Sequence, residues 1–496
     1  MKTKSIKLNL IMNIALTIST IIFPLITFPY VSRILLPVGT GKVSFAVSFV
    51  NYFSMIAQLG IPTYGIRACA AVRDNKIELS RTVHELLFIN IVMNIISYFA
   101  MFVILFTVPR FYDDRVLYVI VSSTIVLTSI GMEWLYKALE QYTYITIRSV
   151  VFKFIALVAM FLLIHRKSDY IVYGFLTIFA ASASNVLNFI NAHKYIDFKP
   201  IGKYDLRRHY KPVIVFFAMA CATTIYTNLD NVMLGFMTDD IQVGYYNAAV
   251  RIKILLVAIV TSLGTVLLPR SSYYIEKGMV EEFKRITGKA TNFVFLISLP
   301  FMIYCIIYAK ECIFFLSGDA YTGSIIPMQI IMPTLLLIGL SNLFGIQILV
   351  PLGGERVLLY AEIAGAIVDV IINAILIPKF ASAGAAIGTL VAEFVVTLWC
   401  YSALKEHVTS TLKQIHYFRI LLACILGIAA SLWVKTLGLG NFLTLAISAV
   451  LFFGVYGLFL LWRKEEMIVE IWNMVFNPNR CHFFGQHNSW PENMRK

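Results

Sequence analysis

HELLFINIVMNIISYFAMFVILFTV, residues 84–108, is a run of 25 residues in which Glu85 is the one full charge. As a helix rising about 1.5 Å per residue it exceeds the roughly 30 Å of a bilayer's hydrocarbon core. It lacks the two-residue alternation of a membrane barrel strand. A short charged connection follows, Pro109-Arg110-Phe111-Tyr112-Asp113-Asp114-Arg115, and then a second apolar run. The same rhythm extends in both directions. Fourteen candidate spans fall at about 8–36, 42–67, 84–108, 116–138, 144–164, 170–193, 212–236, 242–268, 289–309, 325–349, 357–377, 383–404, 417–436 and 441–462. The first is too long for the apolar core of a signal peptide and has no small-residue cleavage site after it, so it reads as an uncleaved span.

Composition agrees. Of 496 residues 59% are hydrophobic and 14% charged, where soluble domains carry about 25% charged residues. The net charge of +14 does not indicate nucleic acid, because the basic residues occupy short gaps between apolar runs instead of forming a patch. Those gaps set an orientation. With the N-terminus inside, 24 of the 41 lysines and arginines lie in the inner segments and six in the outer ones, while the other eleven, Arg251 and Lys253 among them, lie within the spans. Positively charged connections stay cytoplasmic, which predicts both termini in the cytoplasm. The basic 194–211 loop is the clearest inner marker, and Asp239 and Asp240 mark an outer turn.

That 194–211 loop also separates two sets of six spans, and a faint repeat supports the division. Gly41-Lys42-Val43-Ser44-Phe45-Ala46 matches Gly244-Tyr245-Tyr246-Asn247-Ala248-Ala249, and the end of span 5 echoes that of span 11. The expected fold is an all-α polytopic membrane protein with about 14 transmembrane helices. Two six-helix lobes, 1–200 and 201–407, surround a central cavity, with helices 13 and 14 at 408–463 and a cytoplasmic interfacial tail at 464–496. In that tail Met467, Ile468, Ile471, Trp472 and Val475 share one helical stripe. Seven cysteines, an odd number without CxxC spacing, point to apolar packing. Cys481, His482 and His487 suit a polar tail better than a metal site, and no metal or other cofactor is expected. Gly39-Thr40-Gly41-Lys42 imitates the end of a P-loop but lacks its other required residues.

Charges deep in a bilayer are costly and usually functional. By helical rise, Arg251, Lys253, Lys153, Asp369 and Glu393 lie near the midplane, Asp230 in the outer part of span 7, Arg33 near the outer end of span 1 and Arg67 near the inner end of span 2. Arg251 and Lys253 are about 200° apart around their helix, so one faces the cavity while the other pairs within its lobe, with Asp369 or Glu393 as candidates. The alternative is that all these charges are neutralised pairs holding helices together. Pro24 and Pro29 mark a kinked helix beside a wet cavity. Gly384 and Gly388 form a GxxxG that implies close helix packing.

Five stretches are similar to the polysaccharide flippase family, exporters of O-antigen and capsule lipid-linked oligosaccharides related to the multidrug-and-toxin-extrusion fold. They are Phe28–Leu35 with Gln58–Ile61, Glu133–Tyr142, Asp230–Gly235 with Val243–Ala249, Leu268–Arg270, and Asn373–Pro378 with Gly384–Ala386. Leu36 departs from the pattern, since the family more often has Gly there. The resemblance implies a bacterial inner- or plasma-membrane flippase that moves polyprenyl-diphosphate-linked oligosaccharide by alternating access, with polysaccharide polymerase machinery as a partner. It implies Arg33 and Arg251 as substrate contacts, with Arg67, Lys153 and Lys253 as further candidates. Asp230, Asp369 and Glu393 are the coupling-ion candidates.

Two other functions compete. A cation-coupled drug antiporter of the same fold would favour acidic cavity residues, and this chain has both signs. A membrane polymerase or glycosyltransferase needs a sizeable outer loop, and the longest here, about 310–324, is short with Glu311 and Asp319 its acids. A non-enzymatic transporter is the expectation.

Overall fold

The computed structural model describes residues 6–405, 408, 409, 412 and 415–469, and among these every regular element is helical. In chain order they are α1 (Ile6–Gln58), α2 (Ile61–Ala71), α3 (Lys76–Thr107), α4 (Arg115–Gly131), α5 (Glu133–Ala138), α6 (Tyr142–Leu163), α7 (Tyr170–Ile178) and α8 (Asn185–Asn191). Then come α9 (Arg207–Met237), α10 (Asp240–Glu276), α11 (Val280–Ile307), α12 (Ala309–Ser317), α13 (Ile325–Ile331), α14 (Thr334–Asn342) and α15 (Glu355–Ala403). Beyond residue 415 lie α16 (Tyr417–Ser431) and α17 (Asn441–Trp462).

Among the described residues eleven helices are long and apolar enough to cross a bilayer, and the pair Asp319–Ile331 and Thr334–Leu349, bent by 45°, adds a twelfth when counted as one broken span. Two of the eleven each hold two expected spans. The long α1 breaks at Leu36 (φ 60°, ψ 177°), and α15 breaks at Ala381 (φ 48°, ψ −124°). Counting both halves of each gives the expected fourteen. Positive φ favours glycine, so Leu36 holds this break in a conformation that L side chains rarely adopt. The second expected span ends earlier than residue 67. Leu59 (φ 46°) and Gly60 (φ 72°) turn the chain after Gln58, and α2 starts with Pro62 in its first turn. Arg67 therefore rides a short separate helix.

How these helices meet lipid and protein is visible on α3. Phe88, Ile91, Ile95, Phe99 and Phe106 are exposed at helical spacing, a face suited to acyl chains. The opposite face is buried and polar: Asn90 Nδ2 donates to the Ala57 carbonyl (2.7 Å) and Ser97 Oγ to that of Phe53 (2.6 Å). Lipid gives no hydrophobic drive between helices, so small residues and such hydrogen bonds, about 0.6 kcal/mol each on average, hold them together.

Contact density divides the chain into two compact units. The first holds Met1–Leu255, Ile313–Ile331 and Glu362–Ala392. Its centre is aromatic, with Phe45, Phe49, Phe111 and Tyr118 packed ring on ring. A buried polar clasp lies at the start of α9, where Glu85 accepts from Arg208 (2.6 Å), from His209 (2.8 Å) and from the Asp205 backbone amide (2.7 Å). The second unit holds Leu256–Cys312, Met332–Ala361 and Glu393–Lys496. Its core packs Val294, Leu335, Phe344, Ile420 and Tyr456. Met467 is buried in that core and Ile468 packs against it. Ile471, Trp472, Val475, Cys481, His482 and His487 lie outside the described residues.

Candidate functional site

A cleft with about 640 Å³ of empty volume opens between the first half of α1 and α10. Thr20, Ile21, Pro24, Leu25 and Phe28 line one side, and Arg251, Ile254 and Leu255 the other. Pro24 and Pro29 both lie in this half of α1 and remove backbone donors beside the cleft. Arg251 stands eleven residues into α10, about 17 Å along the helix. Its guanidinium carbon lies 4.3 Å from the Phe28 ring centroid, and its buried Nε has no hydrogen-bond partner. Among the described residues Arg251 makes no ion pair. A cation–π contact is worth about 0.5–2 kcal/mol. That is less than the roughly 2.5–3.5 kcal/mol an arginine costs at mid-membrane. Of the five basic residues named from sequence, Arg251 alone lines this cleft.

The other cations named from sequence are arranged differently. Lys153 donates to Ser19 Oγ (2.8 Å), next to cleft-lining Thr20. Arg33 is exposed and spends its guanidinium on backbone carbonyls, those of Pro29, Phe314 (3.3 Å) and Phe315 (2.6 Å). Arg67 is exposed on α2, outside the cleft, and Lys253 does not line it. Lys42, from the imitation P-loop, pairs with Asp114 at 2.8 Å.

Asp230 and Asp369 come together in a buried network. Asn373 Nδ2 donates to Asp230 Oδ1 (2.7 Å) and to Asp369 Oδ1 (3.1 Å). Asp230 Oδ2 also accepts from the Tyr246 hydroxyl and from Thr389 Oγ1 (2.9 Å). The GxxxG serves this network, because a side chain at Gly388 would strike Asn373 and lie 2.9 Å from Asp369 Oδ1. Glu393 is buried in the other unit, in the α15 turn whose Thr397 donates to its backbone carbonyl.

The two glycine-led segments of the faint sequence echo meet within the first unit. Gly244 follows Gly41 by 203 residues, and these glycines pack where the segments cross. A side chain on Gly41 would overlap the Asp240 carbonyl, and one on Gly244 would overlap that of Pro37. The same interval relates Phe28 to Asn231 and Ser48 to Arg251. Arg251 covers Phe28, and Asn231 Nδ2 donates to Ser48 Oγ (3.0 Å), so each contact is the repeat image of the other. Nearby, Arg110 pairs with Asp240, and the Thr40 and Tyr321 hydroxyls lie 2.7 Å apart.

The family described as polysaccharide biosynthesis protein matches residues 6–275, more than half of the chain, including both sides of this cleft. The chain belongs to that family. A second family, MatE, matches residues 216–375. Relatives of this polysaccharide biosynthesis protein include a provisionally named O-antigen transporter of Escherichia coli (strain K12), 25% identical over 79% of this chain and 95% of its own. Another of the same designation, from Shigella dysenteriae, is 23% identical over 77% and 96%. A solved structure titled lipid II flippase MurJ, inward closed conformation, superposes with a TM-score of 0.66, covering 94% of this chain and 99% of that one at 16% identity. At that identity the likeness is one of fold. The protein is thus a multi-pass, all-α membrane protein of the polysaccharide biosynthesis protein family.

Sequence reasoning did not single out Phe28, Tyr246, Asn373 or Thr389 as site residues. Three of them, Phe28, Tyr246 and Asn373, lie in the stretches quoted above for the family resemblance. The usable signal for Asn373 was its place one helical turn after Asp369.

Proposed function

We propose that this protein flips polyprenyl-diphosphate-linked oligosaccharide from the cytoplasmic to the outer leaflet by alternating access, for surface polysaccharide synthesis. The unpaired Arg251 in an apolar cleft is the observation that carries this reading. A diphosphate supplies the missing anion, with charge-assisted bonds about twice as strong as neutral ones. The apolar wall of α1 suits an isoprenoid. The names carried by the relatives from Escherichia coli and Shigella, and by the lipid II flippase of like fold, support the substrate class.

In this scheme Arg251 binds the diphosphate and Lys153 stands beside the same wall, with Arg33, Arg67 and Lys253 contacting the substrate along its path. The lobes 1–200 and 201–407 rock about the cavity, with 408–463 as appended helices. Asp230, Asp369 and Glu393 couple the cycle to an ion. The protein is a transporter and not an enzyme. It lies in the bacterial inner or plasma membrane with both termini cytoplasmic, and a polysaccharide polymerase takes up its product. The Asp230–Asp369 pair favours one second reading, a cation-coupled antiporter of cationic drugs.

A liposome assay separates the two. Purified protein is reconstituted with a fluorescent polyprenyl-diphosphate N-acetylhexosamine, and the fraction open to a membrane-impermeant quencher is followed. Exchange between leaflets faster than in protein-free vesicles is expected. No acceleration, together with gradient-driven uptake of a cationic dye, would replace this reading with the antiporter.

A further inference from the structure

Among the described residues a second cleft, also with about 640 Å³ of empty volume, lies between the second half of α1 and α9. Its lining includes Asn51, Ser54, Gln58, Thr63, Thr224 and Asn228, six neutral polar side chains among ten lining residues, and no charge. Asn51 Nδ2 donates to Asn228 Oδ1 across the cleft (3.1 Å), and Asn228 Nδ2 donates to the Thr224 carbonyl (3.1 Å). Gln58 Nε2 donates to Ser54 Oγ (3.0 Å). Asn51 Oδ1 and Gln58 Oε1 accept from no described residue, and neither side chain is fully buried. Thr223 and Thr227 add exposed hydroxyls on α9. So many polar groups at membrane depth belong beside a water-filled space and not beside lipid.

The repeat interval of 203 residues places this cleft as the image of the one holding Arg251. Asn51 corresponds to Ile254, Thr224 to Ile21 and Asn228 to Leu25. Equivalent positions carry amides and hydroxyls on one side and hydrocarbon on the other. Of the three chemical parts of a lipid-linked oligosaccharide, an isoprenoid needs hydrocarbon and a diphosphate needs cations. Only a sugar, neutral and rich in hydroxyls that both donate and accept, matches a lining of amides.

We propose that the α1–α9 cleft binds the sugar of the substrate, with Asn51, Gln58, Thr224 and Asn228 as hydrogen-bonding groups. This rests on the flippase reading and extends it to a second subsite.

The test measures binding of two probes to the full-length protein in detergent: polyprenyl-diphosphate N-acetylhexosamine, and the same polyprenyl diphosphate without sugar. The variant Asn51→Leu with Asn228→Leu removes both partners of one hydrogen bond, a change that can be nearly neutral for stability. Its affinity for the sugar-bearing probe should fall about tenfold, as expected for one or two lost hydrogen bonds. Affinity for the sugarless probe should stay within about twofold of wild type. Gln58→Leu, at the end of α1, should show the same selective loss at about threefold should the double variant fold poorly. Equal affinity of the wild type for both probes, or equal loss of both in the variants, overturns the sugar site and leaves the flippase reading standing. Wild-type protein that binds neither probe removes both.

Discussion

Arg251 lies against the ring of Phe28 and has no acidic partner among the described residues, so its charge is stabilised by a π face and little else. A structural arginine would strand a carboxylate when removed. This one strands nothing. Arg251→Ala should therefore insert at near-normal amounts yet lose flipping. Arg251→Lys keeps the charge but not the bidentate fork and should retain partial transport. Membrane abundance and flipping, measured together, decide the matter. Normal transport by Arg251→Ala would eliminate the diphosphate role.

Asp369 shares the Asn373 amide with Asp230. If this pair couples transport to an ion, Asp369→Asn should flip lipid at one rate with or without an imposed pH or sodium gradient, where wild type accelerates. Asp230 accepts three hydrogen bonds, so Asp230→Asn should also lose stability, by about 1–3 kcal/mol for each donor left unsatisfied. Thermal unfolding in detergent reads the difference. Full gradient dependence in Asp369→Asn would remove it from the coupling scheme.

Gly41→Ala places a methyl group against the Asp240 carbonyl and 2.9 Å from the Gly244 amide nitrogen. Backbone atoms cannot rotate aside, and overpacking of this kind costs about 1–3 kcal/mol. The contact between the two halves should open. A cysteine at Thr40, whose hydroxyl now meets Tyr321, should react faster with a thiol reagent in the Gly41→Ala background, and flipping should slow. Unchanged labelling would show that this contact does not govern access.

Orientation can be read from two exposed positions, Asp239 and Arg207. In a protein whose seven cysteines are replaced, Asp239→Cys should react with an impermeant reagent on intact cells. Arg207→Cys should react only after permeabilisation. The reverse pattern would invert the topology and the direction of transport drawn from it.

The spans were legible because period and length suffice to identify them: Tyr142–Leu163 was expected at 144–164 with no further information. The breaks were less so. Leu36 and Ala381 give no glycine signal at positions with positive φ, and the turn at Leu59 and Gly60 sits inside an otherwise apolar run. Depth along a helix placed Arg251, Asp230 and Asp369 within the spans. Direction around it was not, because packing decides whether an arginine meets a ring, a carbonyl or an acid. The family resemblance implied Arg33 and Arg251 alike as substrate contacts, yet one caps backbone carbonyls and the other lines a cleft.

The packing of Gly41 on Gly244 brings like parts of two repeats face to face. Two separate copies of one half, joined there, would be obliged to present two identical grooves. Fused in a single chain, each groove can change its residues without the other following. Asymmetry is then available to a near-symmetric frame, and a cargo that is oily at one end and sugary at the other can be met by a different chemistry at each.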